Sequence, residues 1–109
     1  MNEDLRRVGH MLECAADIQR FLKGRRRALG RDEILQAALF RKFEVMGEAA
    51  THVSPAFRDA HPEIPWKRII AFRNVLIHAY DRILMEGLLK ALEELPDLEK
   101  KLKLALAGP

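Results

Sequence analysis

Residues 3–22 read Glu3-Asp4-Leu5-Arg6-Arg7-Val8-Gly9-His10-Met11-Leu12-Glu13-Cys14-Ala15-Ala16-Asp17-Ile18-Gln19-Arg20-Phe21-Leu22. Leu5, Val8, Met11, Leu12, Ala15, Ile18, Phe21 and Leu22 recur at steps of three or four, the period of a helix with one apolar face. Lys23-Gly24 ends that pattern. Downstream, Asp32 is placed to cap the free amides of a second helix running through ILQAALFRKFEVMGEAATHV, with Ile34, Ala38, Val45 and Ala49 in its apolar stripe. Ser54-Pro55 pairs a capping residue with a proline suited to the first helical position, so AFRDAH forms one short helical turn, stopped by Pro62. A third long helix is predicted from Pro65 or Trp66 to His78 or Tyr80, and a fourth from about Arg82 to Leu95. Pro96 is expected to cap or kink the passage into a last amphipathic stretch, DLEKKLKLALA.

Composition points the same way. Of the 109 residues 49% are hydrophobic but only 6% aromatic, and 32% are charged. Gly, Pro and Ser seldom cluster as they do between strands, so the fold class is all-α, an up-and-down bundle of four to five helices in a single domain over residues 1–109. Cys14 is the only cysteine, which excludes an internal disulfide and marks it as a small buried apolar residue. No Cys/His set has zinc-site spacing, so no metal is expected. MNEDLRRVGH lacks the apolar core of a signal peptide and no run approaches 18 apolar residues, so a soluble, cytoplasmic protein that does not engage a membrane is expected. The net charge of +3 is mild, but Arg20, Lys23, Arg25, Arg26, Arg27 and Arg31 crowd one loop. Such a patch attracts phosphates or simply lies solvated between two helices.

The third helix carries the anomaly. On a wheel of about 100° per residue, Trp66, Ile69, Ile70, Leu76, Ile77 and Tyr80 share one side, and Arg73 sits at the centre of that stripe. Burying an unpaired guanidinium costs several kcal/mol. Either Glu48 or Glu44 neutralises it, or the stripe faces a cleft or interface where an anion arrives. His78 follows Arg73 by five residues, about 140° of rotation and about 7.5 Å of rise, so the two cannot easily touch one atom within one straight helix. Asn74 lies four residues before His78 and on its side, within reach of the ring.

Arg73-Asn74-Val75-Leu76-Ile77-His78-Ala79-Tyr80 resembles the Arg-x4-His-x-Tyr motif of HepT-like proteins, the toxin branch of the HEPN superfamily. The surrounding block FEVMGEAATHVSPAFRDAHPEIPWKRIIAFRNVLIHAY, with its Gly-Glu-Ala-Ala and its Pro-Glu-Ile-Pro-Trp entry, is similar too, and with a weaker likeness in the first helix the resemblance covers nearly the whole chain. It departs after Tyr80, where Asp81-Arg82-Ile83-Leu84-Met85-Glu86-Gly87 stands in place of a short Gly- or Asp-containing turn and a following aromatic. The resemblance implies a HEPN-like bundle and a metal-independent endoribonuclease, without cofactor, acting as the toxin of a two-gene toxin–antitoxin module. It implies that Arg73 and His78 are catalytic. It also implies that a minimal nucleotidyltransferase antitoxin transfers AMP to Tyr80.

The residue chemistry suits RNA cleavage, in which a ribose 2′-hydroxyl loses a proton, the 5′-oxygen gains one, and the phosphorane between them carries extra charge. Imidazole moves protons near neutral pH and guanidinium clamps phosphoryl oxygens. One histidine does not readily serve as base and acid together, whereas a two-fold homodimer supplies two histidines and two arginines to one cleft. Asn74 is expected to orient His78 or bind a phosphate oxygen, Glu48 to hold Arg73, and Arg25, Arg26 and Arg27 to guide RNA. His10, His52 and His61 are expected at the surface or at helix ends, and Trp66 and Phe72 in the core. A competing reading is a non-catalytic helical dimer that binds nucleotide or substrate for a nucleotidyltransferase partner; a third is an interaction protein whose Arg73 is neutralised internally.

Overall fold

The structure is a computed structural model that describes residues 2–78 and 82–108. Helix α1 spans Glu3–Leu22, α2 Glu33–Thr51, α3 Pro55–Ala60, α4 Trp66–His78 and α5 Arg82–Ala107, with a short 3₁₀ turn over Arg26–Ala28. This is the all-α, HEPN-like bundle expected. The first three helices each start at a capping side chain. Asn2 accepts from the Asp4 amide at 2.7 Å, Asp32 from the Leu35 amide at 3.0 Å and Ser54 from the Phe57 amide at 3.2 Å, satisfying donors that a first turn leaves free. Beyond α1 the chain turns away through Gly24, at φ +74°, where a Cβ would be strained.

Helix α1 lays Val8, Met11, Cys14, Ala15, Ile18 and Leu22 into the core, packing against α2 and α5, while α4 packs chiefly against α2. Cys14 is only 2% exposed and burial pushes its thiol pKa up, so it behaves as the small apolar residue expected. The α2 stripe is rotated from its expected phase. Ile34 is 83% exposed, Ala38 and Val45 are half-buried, and of that set only Ala49 is buried. The core face runs through Leu35, Leu39, Phe43, Met46, Ala49 and Ala50 instead. It is set by the larger side chains, which gain more from leaving water.

Pro96 does not cap a helix. It lies inside a continuous α5, so the expected fourth helix and the last amphipathic stretch are one element. Leu88, Leu92 and Leu95 before the proline and Leu98, Leu102 and Ala105 after it are all buried. That stripe crosses Pro96 without a break, and its burial outweighs the one hydrogen bond a proline cannot make. Gln19 Nε2 donates to Glu99 Oε1 at 2.9 Å just beyond it, tying α5 to α1.

Asp4 and Arg58 hold the C-terminal end of α2 in place. Asp4 accepts from the Ser54 amide at 2.8 Å and from its hydroxyl at 2.7 Å, fixing the α2–α3 turn on α1. Arg58 of α3 reaches back, Nη2 donating to the carbonyls of Ala50 and Thr51 at 2.9 and 3.1 Å and Nε to that of Val53 at 3.1 Å. A cation thus closes carbonyls left open by the helix terminus. Among the described residues no helix is long and apolar enough to cross a membrane.

Candidate active site

Helix α4 approaches α2 at Gly47. A Cβ there would stand 2.3 Å from Arg73 Cβ and 3.1 Å from the Ile69 carbonyl oxygen, so only a residue without a side chain admits α4 this closely. The same close approach sets Arg73 beside the next residue of α2. Arg73 Nη2 donates to Glu48 Oε2 at 2.6 Å, and Nη1 donates to Asn74 Oδ1 at 2.9 Å. Arg73 Nε is buried without a hydrogen-bond partner. The side chain keeps 28% of its surface exposed, so the guanidinium lies at the surface with its inner edge in the helix interface.

Of the four polar residues in the motif, Arg73 thus faces α2, and Asn74 turns its oxygen to Arg73. His78 closes the described part of α4 with its side chain exposed. Tyr80 lies outside the described residues. Of the apolar residues around the motif Trp66 is buried, Ile69, Ile70, Phe72 and Leu76 pack partly against the core, and Ile77 is 42% exposed. Phe72 meets Phe43 edge-on at 5.5 Å between ring centroids.

His52 is expected from the sequence at the surface or at a helix end. It is the C-cap of α2 and exposed, but its Nε2 lies 3.3 Å from Glu48 Oε1. One carboxylate therefore joins an imidazole on one oxygen and the motif arginine on the other. The signal for this was the spacing of Glu48 and His52, four residues apart on one helix, where side chains meet.

Residues 11–105 match the family described as "Ribonuclease HepT-like". The chain belongs to the ribonuclease HepT-like family. Among its relatives, it is 32% identical over 98 residues to a Methanocaldococcus jannaschii protein named "Putative RNase MJ1380", covering 86% of this chain and 88% of that one. Identity reaches 40% over 77 residues with "Putative RNase TTE0752" of Caldanaerobacter subterraneus, 67% of this chain and 66% of that one. With "Probable ribonuclease HepT" of Thermococcus cleftensis it is 38% over 71 residues, 64% of each. The match thus spans just under two-thirds of those last two proteins. No solved structure matches the chain.

In this HepT-like chain the basic loop is a separate feature. Arg25 pairs with Asp32, Arg20 with Asp17 at 2.9 Å, and Arg31 donates to the Arg27 carbonyl at 3.1 Å, while the Arg26 and Arg27 side chains are exposed. Asp32 and Glu48 stand near opposite ends of α2, roughly 24 Å apart at 1.5 Å per residue, so Arg25, Arg26 and Arg27 do not join Arg73. His61 lies against Phe57, ring centroids 4.3 Å apart, and 3.3 Å from Glu63, and its carbonyl accepts from the Trp66 indole at 3.0 Å. His10 is exposed on α1. Among the described residues no group of three or more His, Cys, Asp or Glu is placed to hold a metal ion.

The hydrogen bond from His52, and next the charge of Arg73, hold the Glu48 carboxyl below its ordinary pKa of 4.5. A depressed folded-state value means the carboxylate's interactions persist at and above pH 4.5 and are lost only as the pH falls through the lower, folded value. Carbon-detected NMR titration of Glu48 is expected to show a midpoint below 4.5. Arg73→Ala should move that midpoint upward while leaving it depressed, because His52 remains.

Proposed function

We propose that this protein is a metal-independent endoribonuclease acting as the toxin of a toxin–antitoxin module, with a composite active site at a two-fold homodimer cleft. The observation that carries the reading is Arg73, a partly exposed guanidinium fixed by Glu48 and Asn74 on the helix that ends its described course at an exposed His78, in a chain of a ribonuclease family. Arg73 faces α2 and His78 stands about 140° further round, so pairing two copies gathers both residue types at one phosphodiester.

In that cleft His78 of one copy removes the proton from the ribose 2′-oxygen. The 2′-oxygen attacks phosphorus, and the 5′-oxygen leaves with a proton from His78 of the other copy. The Arg73 guanidiniums take up the charge that grows on the phosphoryl oxygens. Glu48 keeps Arg73 oriented, and Arg25, Arg26 and Arg27 attract the RNA backbone at a distance.

The partner is a minimal nucleotidyltransferase that neutralises the toxin by transferring AMP from ATP to Tyr80. The tyrosine oxygen bonds to the α-phosphorus, pyrophosphate leaves, and the tyrosine proton passes to solvent. The added phosphodiester and nucleoside, two residues from His78, repel and exclude RNA phosphates.

The deciding experiment incubates the purified, unmodified protein with RNA in excess chelator and sizes both the products and the protein in solution. Cleavage by a dimer is the expected result. Intact RNA overturns the nuclease reading, and RNA bound but uncut would favour instead a dimer that only holds nucleic acid or nucleotide for its partner.

A further inference from the structure

We propose that His52 is a positioning residue for Arg73: by donating from Nε2 to Glu48 Oε1 it pins the carboxylate whose other oxygen holds the guanidinium. The consequence for cleavage rests on the nuclease reading above; the positioning itself does not. Arg73 Nε is buried and unpartnered, so the guanidinium is oriented through its two terminal nitrogens, Nη1 on Asn74 and Nη2 on Glu48. Asn74 is its neighbour on the same helix and turns with it. Glu48 is the contact that references Arg73 to the rest of the molecule.

That contact is only as firm as Glu48 itself. The glutamate side chain is 49% exposed, and an exposed glutamate explores several rotamers at little cost. Two opposed anchors remove this freedom, Arg73 at 2.6 Å on Oε2 and His52 at 3.3 Å on Oε1. His52 in turn has a fixed base. Its amide donates to the carbonyls of Ala49 and Ala50, and Arg58 clamps the carbonyls of Ala50, Thr51 and Val53 around it. The charged groups about the imidazole are Glu48, hydrogen-bonded to it, Arg58 at the same helix end, and Arg73 across the carboxylate from α4.

The test reads Arg73 directly. In ¹⁵N-labelled full-length protein, rotation of the Arg73 guanidinium is measured by NMR in wild type, His52→Leu, His52→Gln, Glu48→Gln and the double variant. His52→Leu is expected to speed that rotation about fivefold, the effect of losing one hydrogen bond of typical net strength between half-exposed groups. His52→Gln, whose amide can reach the same oxygen, should stay near wild type. In the Glu48→Gln background His52→Leu should add nothing, because the path through the carboxylate is already broken. Unchanged rotation in His52→Leu, or an undiminished effect without Glu48, overturns the proposal. Metal-free RNA cleavage is followed in parallel: His52→Leu should lower kcat more than it raises KM. An inactive wild type sinks the nuclease reading alone, and the guanidinium signal still decides the role of His52.

Discussion

His78→Ala is expected to slow metal-free RNA cleavage about 10²- to 10⁴-fold, the contribution of a positioned proton-transfer group. The fold should be spared. His78 is exposed at the end of the described part of α4, and exposed side chains outside special backbone geometry change stability by no more than about 0.5 kcal/mol. Arg73→Ala should lose a comparable factor, about 10²- to 10³-fold for a donor directed at developing charge. The two variants differ in a second readout. Removing the guanidinium leaves the Glu48 carboxylate without its cation and takes apolar side-chain carbons out of the α2–α4 interface, so Arg73→Ala should also melt somewhat lower. Rates on a labelled oligonucleotide in chelator, beside thermal melts, separate these effects. A His78→Ala protein that cleaves at the wild-type rate removes His78 from the reaction.

Gly47→Ala is the substitution expected to disturb the fold most for its size. Within α2, alanine in place of glycine gains about 1 kcal/mol of helix propensity. Against this stands a Cβ placed 2.3 Å from Arg73 Cβ. Neither atom can rotate away, because each position is fixed by its own backbone. The two helices must separate, and overpacking of this kind costs about 1–3 kcal/mol. With a contact this short the upper end applies. The expected net loss is about 2 kcal/mol, or about 8 °C in melting temperature for a domain of this size. Cleavage should fall as well, since the separation draws Arg73 from Glu48. A Gly47→Ala protein that melts at or above the wild-type temperature would show that α2 and α4 do not meet as closely as described.

Much of this is legible in the sequence. Asp32, Ser54 and Pro55 announce their helices because capping depends on chemistry within three residues. Arg73 stood out because a charge at the centre of an apolar stripe needs a reason, and one of the two carboxylates proposed for it, Glu48, is its partner. Tertiary packing decided what local signals could not. Ile34 lies on a plausible apolar stripe, yet it is solvent-exposed while Leu35 and Leu39 are buried, since the choice of face depends on where α1 and α4 sit. Pro96 is a helix breaker by local rule, but Leu92 and Leu98 on either side are buried and hold one axis through it. The Glu48–His52 spacing was readable, but its meaning depended on Arg73 arriving from another helix at the other carboxylate oxygen.

Gly47 shapes more than one contact. Of α4's residues only Trp66 is fully buried, and Ile77 is nearly half in solvent, whereas α1, α2 and α5 each sink a whole row of side chains. Helix α4 is therefore the long element that can leave its seat while uncovering the least greasy surface, and local opening follows such differences. What keeps it in place is proximity to α2 more than depth, so the Arg73 guanidinium rides on the long helix that thermal motion releases most cheaply.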